Sequence, residues 1–162
     1  MFKRILRNPF LPAVLLVGSM AGITLATPGF QAASTTLAQG TADGIASTVK
    51  TDNWKLKIEA RGPTQVAVIE NRVQPGGHFG WHSHPGASIV VVKSGVSTFY
   101  RGDDPTCTPQ VHPAGSAYVD PGGTVHIARN EGSEELVLLV TRITPAGAMP
   151  RIDEPDPGFC SF

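Results

Sequence analysis

Two histidines separated by a single residue, His82 and His84, are the feature of this sequence best suited to chemistry. In a β-strand, side chains two positions apart point to the same face and lie about 7 Å apart along the chain. Two neutral imidazoles placed in this way can converge on one transition-metal ion. Because alternating histidines also occur by chance on exposed strands, the pair gains its weight from the residues around it.

A third histidine, His126, follows a segment that predicts a tight turn. Residues Asp120-Pro121-Gly122-Gly123 suit a type II turn, in which proline presets φ at the first central position and glycine adopts a positive φ at the second. Such a turn would bring the strand that carries His126 back toward His82 and His84. Three protein ligands leave coordination positions open, which is typical of catalytic rather than structural metal sites.

The spacing around these histidines resembles the two motifs of the cupin family. The first motif, G-x5-HxH-x3/4-E-x6-G, is met at Gly76, His82, His84 and Gly95. The second, G-x5-P-x-G-x2-H-x3-N, is met in full, at Gly115, Pro121, Gly123, His126 and Asn130. The resemblance covers residues 55–144. It implies a small antiparallel jelly-roll barrel that holds one divalent transition metal (Fe, Zn, Ni, Cu or Mn) through His82, His84 and His126.

The glutamate of the first motif is missing, since its position is occupied by Ser88. We therefore expect three neutral histidines around a divalent ion, with a net charge of about +2 that favours an anionic, chelating ligand such as an enolate, a carboxylate or a catecholate. The departure weakens the resemblance to manganese-dependent, oxalate-processing cupins. It leaves the resemblance to three-histidine cupin dioxygenases open.

Three further residues are candidates to line the site: His78, Ser88 and Glu70. His78 lies four residues before His82, so in an unbroken strand it would face the same way and could be a fourth ligand. The glycines at positions 76, 77 and 80 indicate an irregular backbone there, which speaks against that role. The sequence identifies no catalytic residue; Glu70, His78 and the two tyrosines are the acid or base candidates.

The segments that must position these residues are predicted to be β-strands. Alternating apolar residues begin near Trp54, and Gly- and Pro-containing turns then separate short strand signals, which favours an all-β sandwich or barrel. We expect the folded domain to span residues 54–144. Residues 34–53 are small and polar and are interpreted as a linker, and residues 145–162 as a Pro-rich tail extended along the surface.

The first 33 residues are interpreted as a signal peptide or an uncleaved N-terminal anchor, disordered or helical. Lys3, Arg4 and Arg7 precede an uncharged run from Leu11 to Ala26, which is typical of the basic region and apolar core of an export signal. The folded part is then expected outside the cytoplasm, in the periplasm or the extracellular space.

Two cysteines, Cys107 and Cys160, make up the whole cysteine content of the chain. An even pair in an oxidising compartment predicts a disulfide between them. The alternatives are two unrelated free thiols or a nucleophilic Cys107.

The charge balance limits the partners, because 13 basic and 13 acidic residues offer no electrostatic footprint for nucleic acid. We expect a small, anionic ligand instead, and the chain is a possible homodimer. The leading hypothesis is a metal-dependent enzyme (a dioxygenase, isomerase or lyase). The alternatives are a non-catalytic module that binds or senses a metal or small ligand, and a barrel that the metal only stabilises.

Overall fold

The fold is all-β, as predicted. The computed structural model describes residues 26–162, so the predicted export segment lies outside the described residues as far as position 25. Within residues 26–162 there is no helix long and apolar enough to cross a membrane. The strands of this part are β1 (Phe30–Lys50), β2 (Lys55–His78), β3 (His82–Ser83), β4 (Ser88–Ser94), β5 (Val96–Arg101), β6 (Gln110–Pro113), β7 (Ala117–Asp120), β8 (His126–Arg129), β9 (Leu136–Pro145) and β10 (Ile152–Asp153).

The strands form one antiparallel sheet that curls into a nearly closed barrel. Its main path runs β10-β3-β8-β2-β9-β4-β7, with β1 added on β2, and with β5 pairing both β6 and β8. The ladder between β2 and β9 joins residues 64–73 to residues 136–145. This order places β3 and β8, which carry the predicted ligands, side by side.

The barrel core is built by alternation along β2, β4 and β9. In β4, Ser88, Val90 and Val92 are buried, whereas Ile89 and Val91 face solvent. The inward residues of the three strands form one apolar cluster: Ile69, Val73, Val90, Val92, Leu136, Leu138 and Val140. Ser88 therefore points into the same interior as the core valines, at the end of the row.

The expectation of a linker over residues 34–53 is wrong, because residues 34–50 belong to strand β1. Strand β1 pairs with β2 over its whole length, from Phe30↔His78 to Lys50↔Lys55. Most of its side chains are exposed, so small and polar residues suffice and no burial pattern marks the strand. The sheet thus begins at Phe30 rather than near Trp54.

The disulfide between Cys107 and Cys160 is present, with the two Cα atoms 5.5 Å apart, which confirms the predicted pairing. It anchors the C-terminal tail, which runs across the barrel as β10 beside β3. The last residue, Phe162, stacks on Trp81 at 6.3 Å between ring centroids and lies 3.8 Å from the Arg129 guanidinium carbon. The tail is therefore a packed part of the fold.

Candidate metal centre

The three predicted histidines converge in the barrel interior. His82 and His126 are register partners in β3 and β8, and His84 follows two residues after His82 on the same side. One ring nitrogen from each histidine lies within 4.8 Å of those of the other two. All three side chains are buried. Donors bound to one ion at about 2.1 Å are at most about 4.2 Å apart, so a small contraction suffices to hold a metal.

Backbone carbonyls fix the tautomer of each ring. The Nδ1 atoms lie 2.8–2.9 Å from carbonyl oxygens, in the pairs His82–Gly80, His84–Pro150 and His126–Thr124. Because a carbonyl oxygen only accepts hydrogen bonds, each Nδ1 donates one and carries the ring proton. The Nε2 atoms then carry lone pairs, which is how outer carbonyls usually orient metal-binding imidazoles, and that of His84 accepts from Arg142 Nη2 at 3.2 Å.

Burial keeps the three rings neutral. It lowers the pKa of His82 to about 2, with the neighbouring His126 adding to the effect. Burial also lowers the pKa of His84 to about 4, assisted by the nearby Arg142 guanidinium, and it lowers the pKa of His126. Ligating imidazoles must be deprotonated at Nε2, so the site is ready for a metal at neutral pH. Three neutral nitrogen donors fit a divalent transition ion.

The histidines form one wall of a cavity of about 80 Å³. This is well below the size of a pocket for a drug-sized ligand and suits a molecule of a few non-hydrogen atoms. Polar residues that share the cavity with the histidines are Ser34, Asn71, Ser88, Tyr118, Asp120, Arg142 and Arg151. Apolar side chains from the core and from Phe79 and Phe99 complete the lining.

Arg142, which the sequence analysis did not single out, lies against the histidines. Its Nη2 is 3.2 Å from His84 Nε2, its Nε donates to Ser88 Oγ at 3.3 Å, and its Nη1 donates to the Pro150 carbonyl at 3.1 Å. Burial lowers the pKa of this guanidinium, although an arginine stays charged in a protein. No carboxylate within residues 26–162 forms an ion pair with it.

Asp120, which the sequence analysis placed in a turn but did not name as a site residue, also lies against the histidines. Its Oδ2 lies 3.7 Å from Nε2 of both His84 and His126, and its side chain is 6% exposed. Its Oδ1 accepts a hydrogen bond from the Gly122 N–H at 3.0 Å. The available signal was its place directly before the proline of the second motif, where an aspartate is expected to cap the turn.

The additional candidates named from the sequence are placed differently. Ser88 lines the cavity, in agreement with its choice as a candidate to line the site. His78 is outside it, at the end of β2, where its Nδ1 accepts from the Gly80 N–H at 3.1 Å. Glu70 lies on the outer face of the sheet and pairs with Arg72 at 2.8 Å and with Lys93 at 3.6 Å. The structure therefore brings neither His78 nor Glu70 to the histidine cluster.

Comparison with solved structures finds similar folds at low sequence identity. A conserved protein of unknown function from Streptococcus pyogenes is 19% identical, with 72% of this chain and 77% of that chain covered and a TM-score of 0.47. An uncharacterised protein with a double-stranded β-helix domain from Klebsiella pneumoniae is 24% identical, with coverages of 69% and 85% and a TM-score of 0.45. A cupin-like protein from Thermotoga maritima is 22% identical, with coverages of 56% and 65% and a TM-score of 0.47.

No curated protein matches the chain. The family model of the cupin domain matches residues 70–142, a range that contains all three histidines and both motifs. With the curled antiparallel sheet and the histidine cluster in its interior, this match shows that residues 70–142 form a cupin domain.

Proposed function

We propose that the protein is an exported, metal-dependent enzyme that acts on a small anionic molecule, with one divalent transition ion held by His82, His84 and His126. The observation that carries the proposal is the convergence of three buried Nε2 lone pairs beside the half-buried Arg142 guanidinium, which forms no ion pair with a carboxylate among the described residues. The first feature supports a metal, and the second supports an anion next to it.

Arg142 supports the anionic ligand. The Arg142 guanidinium is half-buried and forms no ion pair among the described residues, although the Asp120 carboxylate lies near enough to raise its pKa against the larger effect of burial. A carboxylate or enolate bound beside the metal would supply a direct counter-charge. When a metal occupies His84 Nε2, the 3.2 Å contact with Arg142 must open, which frees the guanidinium for the ligand. Asn71 is buried in the same cavity and its Oδ1 has no hydrogen-bond partner, so it offers a second polar contact.

A bound divalent ion supplies a Lewis acid that polarises a ligand oxygen. The chain itself provides orientation and the exclusion of water. Arg142 and Asn71 approach the ligand from β9 and β2, and Arg151 approaches from the tail, held by its hydrogen bond to the Phe79 carbonyl at 2.7 Å. Burial raises the pKa of Tyr118 to about 12, so its hydroxyl keeps its proton at neutral pH and can donate a hydrogen bond. A dioxygenase, an isomerase or a lyase is compatible with this set.

The alternative is a non-catalytic cupin that binds or senses a metal or small ligand. One observation favours it: Asp120 is the only carboxylate that lines the cavity in the described part of the chain, and it faces the histidine nitrogens. A carboxylate engaged there is not free to act as a general base. Turnover in the presence of metal separates the two proposals.

The test of the metal is elemental analysis of the purified protein, followed by binding of Zn²⁺ and Co²⁺ to the metal-free form. We expect about one ion per chain in the wild type and none in the variant His82→Ala/His84→Ala/His126→Ala. His112→Ala is the matched control, because His112 stacks on Tyr118 outside the histidine cluster. Full metal retention in the triple variant would contradict the ligand assignment.

The test of activity is oxygen uptake and product analysis of the metal-loaded protein with a panel of small carboxylates, diketones, thiols and catechols. Turnover that disappears in the triple-alanine variant supports the enzyme. Saturable ligand binding without turnover across the panel would favour the binding module.

We also propose export to an oxidising compartment and assembly as a homodimer. The Cys107–Cys160 disulfide supports the first, because such bonds persist outside the reducing cytoplasm. The exposed apolar side chains of Ile89, Val91 and Val119 on the outer face of the sheet support the second. N-terminal sequencing of the exported fraction and the molar mass by light scattering test these points; a monomer would refute the dimer.

A further inference from the structure

Three polar residues of different charge form one row across the sheet beside the histidines. Ser88 in β4 is the register partner of Asp120 in β7 on one side and of Arg142 in β9 on the other. Residues in register point to the same face of a sheet, so all three side chains face the cavity. The smallest side chain stands in the middle, which leaves its two neighbours access to the site.

The Asp120 carboxylate lies next to two imidazole nitrogens that act as hydrogen-bond acceptors. With the Nδ1 protons donated to carbonyls, Nε2 of His84 and of His126 can only accept, and Asp120 Oδ2 lies 3.7 Å from each. Arg142 Nη2 donates to His84 Nε2 at 3.2 Å, whereas no hydrogen-bond donor among the described residues bridges His126 Nε2 and Asp120 Oδ2. Facing lone pairs in a buried site are unfavourable unless a cation lies between them. The separation of 3.7 Å is shorter than the roughly 4.2 Å that spans two donors on one ion.

We propose that Asp120 is the fourth protein ligand of the metal, and that it supplies from the neighbouring strand the anionic oxygen that Ser88 cannot supply. This inference rests on the proposed metal site. It changes that site from three neutral histidines to three histidines and one carboxylate, which reduces the net charge around a divalent ion from about +2 to about +1. It also assigns a role to the small side chain at position 88.

The two oxygens of Asp120 have separable tasks. Oδ1 accepts from the Gly122 N–H and holds the turn that leads to His126, whereas Oδ2 faces the metal position. Asp120→Asn keeps an oxygen for the turn and removes the anionic donor. Asp120→Asn/Ser88→Glu then returns a carboxylate from the opposite register position. Asp103→Asn is the matched control, because Asp103 is an exposed aspartate paired with Arg101.

The experiment titrates Co²⁺ and Zn²⁺ into the metal-free form of each variant and records the visible spectrum of the Co²⁺ form, which reports ligand number and type. We expect Asp120→Asn to bind at least about tenfold more weakly, with a changed Co²⁺ spectrum, while Asp103→Asn matches the wild type. Recovery of affinity in the double variant would support the inference further. Unchanged affinity and spectrum in Asp120→Asn would overturn it and leave the histidine site standing.

A wild-type measurement covers the case in which Asp120→Asn does not fold. The infrared difference spectrum between metal-free and Zn²⁺-loaded wild type should contain a shifted carboxylate band, and the absence of such a band would overturn the inference. Wild type that binds neither Co²⁺ nor Zn²⁺ would refute the proposed metal function itself, which is a different outcome. A lower melting temperature in metal-free Asp120→Asn with unchanged metal affinity would show a turn-capping role alone and would overturn the fourth ligand.

Discussion

Removing the disulfide with Cys107→Ala/Cys160→Ala should weaken both the fold and the metal site, because the bridge anchors the tail that orients His84. The Pro150 carbonyl of the tail accepts from His84 Nδ1 at 2.8 Å. Beyond it, β10 pairs with β3, and the Glu154 N–H donates to the Trp81 carbonyl at 3.0 Å. These contacts tie residues 81–84, which include the histidine pair, to the tail.

The size of the effect follows from the loop that the bridge closes. The two cysteines are 53 residues apart in sequence. The chain-entropy relation for a loop of that length gives a stabilisation of about 4 kcal/mol. For a folded part of this size, 1 kcal/mol corresponds to about 4 °C, so the melting temperature should fall by roughly 15 °C. Loss of the outer partner of His84 should weaken metal binding by about tenfold.

The assay is thermal unfolding of the metal-free protein by circular dichroism, together with Zn²⁺ titration at 25 °C. Reduced wild type is the control, since it loses the bridge but keeps both side chains. A melting temperature within about 2 °C of the oxidised wild type, with unchanged Zn²⁺ affinity, would refute the reasoning. It would mean that strand pairing alone holds the tail in place.

Three further predictions address charge and chain length. The metal-free wild type should lose stability as the pH falls below 6.5, by about 1.4 kcal/mol per pH unit for each buried histidine. The reason is that the pKa values of His82 and His84 in the folded protein lie below the value in the unfolded chain, so the unfolded chain takes up protons first. Urea unfolding at pH 7, 6 and 5 measures this slope, and an equal slope in the triple-alanine variant would contradict it. Arg142→Met should weaken acetate binding to the Zn²⁺ form about tenfold or more, without loss of Zn²⁺ affinity, since it removes the half-buried cation and a competitor for His84 Nε2. Unchanged acetate affinity in calorimetry would show that Arg142 does not face the ligand. The variant that lacks residues 1–38 should melt at a markedly lower temperature than the variant that lacks residues 1–25, because the longer deletion removes Phe30–Ala38 of β1. Equal melting temperatures of the two variants would show that this part of β1 contributes no stability.

The features that the sequence predicted correctly have short-range signals. The alternation of Val90 and Val92 with Ile89 and Val91 marks β4 in seven consecutive residues. The convergence of the histidines follows from two local motifs, each no more than 20 residues long. The disulfide follows from the count of two cysteines, which leaves one possible pair.

The features that it missed depend on contacts distant in sequence. Strand β1 carries polar residues on its exposed faces, and only its pairing with β2 defines it. The inward face of β2 carries Ile69, Asn71 and Val73, whereas Val68 is 38% exposed and Glu70 points outward with it. A phase error of one residue exchanges the two faces of a strand, so apolar residues on both faces of β2 concealed which side lines the cavity.

The missing motif glutamate shows how a sequence pattern and a site can disagree. The pattern assigns the anionic ligand to one position in β4, where this chain has Ser88. A metal, however, requires an oxygen at a point in space, and antiparallel pairing brings a residue 32 positions away, Asp120, to the same row. Because Ser88 is short, Asp120 reaches the metal position from β7. A glutamate at position 88 would reach the same position from β4, and the two carboxylates would then repel each other. The substitution Ser88→Glu should therefore increase Zn²⁺ affinity less in the wild-type background than in the Asp120→Asn background. Equal increases in the two backgrounds would mean that positions 88 and 120 act independently and do not share one metal position.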